Sequence, residues 1–296
     1  MQFQEAKTAA GTIVVSAPIQ GAGLLTIAGP AELNASGSFD VPPIYGSEGS
    51  LVYNTGRAVG AEWGAGSVVG VGVPRHVDIR ATGGTVTLPA SDRAVPGDLG
   101  VQDGTLRLAG GNLVLGGNLL VAGTLDCNGQ SLVFTGGGVQ SVSRSGGLSV
   151  PFVRLQKSAG SVILIDDLTL TGAADGSAIE FAGALDVFDL GSRTLTLLGS
   201  IKGGSGVSAV SKAGSSSNLV VNGTGALGTA RFVSGGRTIH DLTLQAAGPG
   251  TLALSTPLTV TGTLGLVAGT LSTGVDSSPS RRPARWCGPP AWSAAT

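Results

Sequence analysis

Gly110-Gly-Asn-Leu-Val-Leu-Gly-Gly-Asn-Leu-Leu-Val-Ala-Gly123 is the stretch whose reading decides the fold. It says one thing twice: small corner residues, an Asn, then a three-residue run with apolar side chains at its first and third positions. Alternation of this kind sends Leu113, Leu115, Leu119 and Val121 to one face of short strands, and glycine at the corners supplies the positive-φ conformations that a chain turning every few residues needs. Read outward, the pattern recurs at Thr105-Leu-Arg-Leu108, Ser131-Leu-Val-Phe134, Val153-Arg-Leu155, Asp167-Leu-Thr-Leu170, Thr194-Leu-Thr-Leu197, Asn218-Leu-Val-Val221, Asp241-Leu-Thr-Leu244 and Thr251-Leu-Ala-Leu254. Helical spacing is absent. Strands of three to five residues cannot stand alone, so they must pile on one another.

A longer similarity overlies the short one. His76-Val-Asp-Ile79 with Gly83-Gly-Thr-Val-Thr-Leu88 is echoed by Phe152-Val-Arg-Leu155 with Ala159-Gly-Ser-Val-Ile-Leu164, and again by Asp241-Leu-Thr-Leu244 with Gly250-Thr-Leu-Ala-Leu254. This reads as about three degenerate copies of a multi-strand unit. Glycine accounts for 51 of the 296 residues against an ordinary share of ~7%, and aromatics for only 4%, so the core is assembled from Leu, Val, Ile and Ala in thin layers. The expectation is all-β: a right-handed parallel β-solenoid over residues 1–275, with coils of roughly 20–30 residues, about 9–13 of them, forming a rod on the order of 45–60 Å long. A string of small β-sandwiches is the competing fold. From Asp276 the alternation stops, and 276–296 reads as an irregular, disordered tail: it carries Pro279, Pro283, Pro289 and Pro290, which cannot continue a ladder. Its Arg, Pro, Ala and Trp clustering is also that of an out-of-frame translation or a short linker.

Gly49-Ser-Leu-Val-Tyr-Asn-Thr-Gly56, Glu62-Trp63, Val73-Pro-Arg-His-Val-Asp-Ile79 and Gly97-Asp-Leu resemble the glycine-rich β-strand-repeat regions of very large bacterial secreted and cell-surface proteins. The resemblance covers roughly residues 10–275. It implies an adhesin-like segment of an exported protein, extracellular or at the cell surface, with glycans or host receptors as partners. It carries over no active-site residues. The N-terminus has no secretory leader pattern, so the expectation is a piece of a longer chain.

The charge balance is 17 Lys and Arg against 18 Asp and Glu, which leaves no basic footprint for nucleic acid. Arg107, Asn112, Asn118 and the glycines break the most apolar stretch, Leu106 to Leu125, so no membrane span is expected. No cofactor or metal is expected either, because phosphate-loop, zinc-protease, esterase and calcium-loop motifs are all missing. Gly223-Thr-Gly-Ala-Leu-Gly228 matches a dinucleotide spacing, yet Arg231-Phe-Val-Ser-Gly-Gly236 beyond it cannot open a helix, so it reads as a corner. Cys127 reads as a buried small hydrophobe and Cys287 as a tail thiol, while His76 and His240 read as repeated structural positions.

Two groups stand out as candidates. Glu62, Trp63, Tyr45 and Tyr53 are the densest polar-aromatic grouping and could stack on sugar rings, although the same bulk also suits packing at the end of a core. Asp167, Asp186 and Asp189, with Asp166, Asp175 and Glu180 nearby, could supply paired carboxylates for a polysaccharide lyase or hydrolase, although solvated turn caps fit them better. Thr-x-Thr pairs (Thr85 and Thr87, Thr169 and Thr171, Thr194 and Thr196, Thr259 and Thr261) suggest ice binding more weakly, being irregularly spaced. A non-catalytic structural or adhesive role is the main expectation, and polysaccharide binding or cleavage the alternative.

Overall fold

A computed structural model describes residue 2, residues 4–204 and residues 211–273; the stretch 276–296, including Cys287, lies outside the described residues. The chain is all-β, with parallel strands stacked as a β-solenoid of about 12 turns. At the ~4.8 Å spacing of neighbouring strands, twelve turns extend roughly 55–60 Å along the axis. A three-residue 3-10 turn, Ala22–Leu24, is the helical element among the described residues. Tandem sandwiches are ruled out because the ladders are parallel and the buried residues form a single continuous cluster.

Three faces wrap the axis. One carries a nine-stranded sheet that starts at Arg93–Val95 and runs through Leu113–Leu115, Ser131–Gly136, Phe152–Lys157 and Ser177–Phe181 to Thr270–Thr273. The second is an eleven-stranded sheet, its main path running from Ile13–Val15 through His76–Thr87, Leu99–Arg107 and Leu119–Val121 to Phe188–Asp189. The third is a six-stranded sheet from Leu148–Val150 to Leu264–Ala268, and smaller sheets complete the faces towards the ends. The two halves of the deciding stretch therefore belong to different faces. Gly116, Gly117 and Asn118 turn the corner between them.

Register explains why so few large side chains suffice. Ala31, Leu51, Val77, Leu99, Leu119, Val142 and Leu164 lie above one another on successive coils, and Leu148, Leu168, Leu195, Leu219 and Leu242 do the same on the third face. Each is buried. Full burial of one such side chain is worth about 1.5–3 kcal/mol, so a row of modest aliphatics accumulates what a globular core draws from aromatics.

The structural repeat is the coil. Leu99 pairs with Leu119, and Leu51 pairs with Val77 across a longer excursion at 59–75. The three echoed segments fall on three different faces, in the strands His76–Thr87, Phe152–Lys157 and Asp241–Gln245, so they share a strand-and-turn recipe and not a position about the axis. Gly104 shows what the corners demand: it has φ +74°, and a Cβ there would strike the Ala81 carbonyl of the preceding coil.

Side chains at the starts of strands form polar ladders that parallel the backbone ones. Asp92 Oδ1 accepts from the Asn112 N–H (2.8 Å), and Asn112 Oδ1 accepts from the Ser131 N–H (3.1 Å). On the next face Asp98 Oδ1 accepts from the Asn118 N–H, and Asn118 Oδ1 from the Ser141 N–H, both at 2.8 Å. The third face repeats the scheme, with Thr194 donating to Asp167, Asp241 to Asn218 and Thr263 to Asp241. Each of these Asp and Asn side chains thus binds the backbone of the coil above.

Candidate functional site

Tyr45, Tyr53, Glu62 and Trp63 come together, but inside the protein. The loop 59–75 enters the core just ahead of Arg93–Val95, the first strand of the nine-stranded sheet, and Trp63 Nε1–H donates to the Ala94 carbonyl at 3.0 Å. Tyr45 Oη–H donates to the Glu62 carbonyl (2.8 Å), and Tyr53 Oη–H to Glu62 Oε1 (3.1 Å). Trp63 is 0% exposed and Glu62 1%. Burial first, and the Glu62 charge second, push both tyrosine hydroxyls well above their ordinary value. With no ring face open to solvent, this group packs the core and does not stack on a sugar. That corrects the binding expectation for Glu62, Trp63, Tyr45 and Tyr53.

The predicted carboxylates are also held apart. Asp186 is 0% exposed, accepting from the Lys157 N–H at 2.7 Å and the Gly183 N–H at 2.5 Å, so it cannot share a solvent cleft with Asp167 and Asp189. Asp167 caps Thr194, and Asp189 accepts from the Gly191 N–H at 3.0 Å. Asp166 accepts from Ser143 Oγ and the Arg144 N–H. Asp175 is drawn well below the usual carboxylate range by Lys202, then by the Ser177 hydroxyl and N–H. These acids serve as acceptors that close turns and join coils. The Thr-x-Thr pairs likewise fail to line up: Thr85 pairs with Thr105 on one face, Thr169 pairs with Thr196 and not Thr194 on another, and Thr259 pairs with Thr238. Gly223 to Gly228 lies almost wholly within the strand Thr224–Ala230, whose register slips between Thr224 and Gly228, so the corner expected there is instead a bulged strand.

A different set of residues converges on the outer surface of the eleven-stranded sheet. His76, Asp78, Asp98, Gln102, Asn118 and Ser141 surround a cleft of about 480 Å³ that spans four successive coils. Its cause is a missing side chain. Asp78, Gly100 and Leu120 are in register on consecutive strands, so Gly100 leaves a notch between an acid on one coil and an exposed leucine on the next. A Cβ at Gly100 would collide with Asp78 Oδ1 and lie 2.9 Å from Gln102 Nε2, which means that both polar groups reach over the bare Cα.

The polar ladder of Asp98, Asn118 and Ser141 forms the remaining wall. His76 Nδ1 accepts from the Asp98 N–H at 2.9 Å, which puts the ring proton on Nε2. Asp98 Oδ1 also accepts from Asn118 Nδ2 at 2.9 Å, and Asp78 Oδ2 accepts from Arg80 Nη2 at 2.9 Å. Nearby, the Thr82 hydroxyl and the Gly104 N–H lower the Asp103 carboxyl. The arrangement offers hydrogen-bond donors and acceptors of fixed position beside one aliphatic surface.

Asp78, Asp98 and Gln102 escape a sequence reading that seeks acids close together in the chain. The usable signal is the coil period: His76, Asp98 and Asn118 stand 22 and 20 residues apart and so become neighbours. No family model matches the chain, and neither the curated proteins nor the solved structures contain a match to it. Among the described residues no group of three His, Cys, Asp or Glu converges as metal ligands, and no helix is long and apolar enough to cross a membrane.

Proposed function

We propose that this chain is a structural and adhesive segment of an exported bacterial surface protein, a stiff β-solenoid that holds a patterned outer face at a distance from its point of attachment. The observation that carries the reading is the fate of the acidic side chains. Asp92, Asp98, Asp167, Asp186 and Asp241 each accept a hydrogen bond from the backbone of a neighbouring coil or turn, the work of joining turns and not of moving protons. Continuous aliphatic rows and side-chain ladders resist bending, as a spacer requires.

Two measurements on the purified chain test it. Small-angle scattering is expected to give a pair-distance function with an early maximum and an extended tail, and a reducing-end assay across neutral and uronate polysaccharides is expected to show no cleavage. Release of reducing ends that is abolished by Asp78→Asn or Asp98→Asn would replace the adhesive reading with a polysaccharide-cleaving one.

A further inference from the structure

We infer that the Gly100 cleft is a binding site for a short neutral oligosaccharide lying along the solenoid axis. The inference rests on the adhesive reading and names the ligand class and the residues that would hold it.

The shape comes first. The volume of about 480 Å³ falls within the ~300–1,000 Å³ typical of small-ligand sites. Its lining runs from His76 through Asp98 and Asn118 to Ser141, three coil intervals or roughly 14 Å of rise, so a ligand seated in it can reach four coils. A linear oligosaccharide of a few units can touch all four coils at once, which a compact metabolite cannot.

The chemistry then selects the class. Asp78 Oδ1 and Gln102 Nε2 reach over the same glycine, and neither has another protein partner among the described residues, whereas Asp78 Oδ2 is held by Arg80. An acceptor and a donor within one notch match the adjacent hydroxyls of a sugar, each of which can donate and accept. Leu120, 44% exposed and directly in register with Gly100, supplies the aliphatic patch against which the C–H face of a pyranose can rest. His76 Nε2–H and Ser141 stand on the wall as a further donor and hydroxyl. Asp78 and Asp98 disfavour a phosphate, sulfate or uronate, because a second negative charge would be desolvated against theirs. Arg80 offsets Asp78, which weakens the preference for a cationic ligand.

The test uses the whole chain and four defined probes: cellotetraose, mannotetraose and xylotetraose as neutral ligands, and tetragalacturonate as the anionic one. Isothermal titration is expected to detect binding of at least one neutral tetrasaccharide and none of tetragalacturonate. Gly100→Leu fills the notch, and the atoms it displaces are the mobile ends of Asp78 and Gln102, so the fold survives. Asp78→Ala and Gln102→Ala remove the two groups without adding bulk. Each is expected to weaken binding about tenfold or more, the factor expected from losing one hydrogen bond to a charged or fixed polar group. Glu180→Ala, on the nine-stranded face beside Arg154, should leave affinity unchanged. Affinity unmoved by Gly100→Leu and Asp78→Ala, binding of tetragalacturonate alone, or no binding by a chain whose scattering is still rod-like would each overturn the inference. The last of these leaves the spacer reading intact. A compact particle would instead overturn the spacer reading itself.

Discussion

Lys157 shows how a residue in a low-charge core is tolerated. Its Nζ donates to Gln140 Oε1 and its backbone N–H to Asp186, while Gln140 Nε2 spans the carbonyls of Leu115 and Gly117 at 3.0 and 2.8 Å. Burial lowers the lysine's affinity for its proton, and the Asp186 charge partly restores it. Removing Asp186 would therefore leave the Lys157 N–H without its acceptor and withdraw the charge that supports the buried ammonium, which keeps its contact with Gln140. Asp186→Ala is expected to cost about 3–5 kcal/mol in urea unfolding, and Lys157→Met markedly less, because a thioether in that space leaves the Asp186 backbone contacts in place. Equal losses would show that the lysine charge, and not the aspartate's grip on the backbone, secures this corner. Cys127 makes a second, pH-dependent point. Burial, helped by Asp126, pushes its thiol from 9.0 up to about 12. An acid whose folded value is raised keeps its full contribution below pH 9, and between pH 9 and about 12 the unfolded chain ionises first and stability falls. Cys127→Ala should flatten that alkaline decline, measured as urea midpoint against pH, and the native thiol should resist alkylation at about pH 8. A wild-type slope unchanged by the substitution would assign the decline to Tyr45 and Tyr53.

At the level of the strand, the unit is a polar residue followed by Leu-x-Leu or a close variant, and each half has a separate task. The aliphatic positions stack inward, and the polar one binds the coil above. Asn118 does most, accepting from the Ser141 N–H and hydroxyl and donating to Asp98. Asn118→Ala is expected to lower stability by about 1–2 kcal/mol, while Thr169→Ala, at an outward mid-strand position, should stay within about 0.5 kcal/mol. A thermal or urea comparison decides it, and equal effects would show the ladder to be ornamental. This division of labour also explains which features are legible in the sequence. Leu113, Leu115, Leu119 and Val121 announce strands because period-two alternation is local. Asp78, Asp98 and Gly100 do not announce a cleft, because their meeting depends on coil lengths of 20 and 22 residues, and coil length varies with excursions such as 59–75. Tyr53 and Trp63 mislead for a related reason: aromatic and polar neighbours in sequence look alike whether they face solvent or line a plug, and only the position of Arg93–Val95 as the first strand of its sheet shows that a plug is needed.

Over the described residues the strand ladders join adjacent turns, so stability is close to a sum of nearest-neighbour terms and should vary along the axis. Burial follows that gradient. Leu242 is 1% exposed beneath its neighbour in register, Leu264, which is itself 41% exposed in the last strand of the third face. A substitution should therefore be felt according to where in the stack it falls, even when its chemistry is the same. Leu119→Ala, with strands on both sides, is expected to cost about 2–5 kcal/mol and to interrupt the aliphatic row in mid-stack, dividing unfolding into two transitions as the coils on either side lose their coupling. Leu264→Ala should cost less than about 1 kcal/mol and leave one transition. Amide exchange followed by mass spectrometry would read the same gradient directly, with strongest protection around Leu99–Arg107 and Leu119–Val121 and a decline towards Leu264–Ala268. Uniform protection, or a single transition for Leu119→Ala, would mean that the turns unfold as one block and that the additive picture fails.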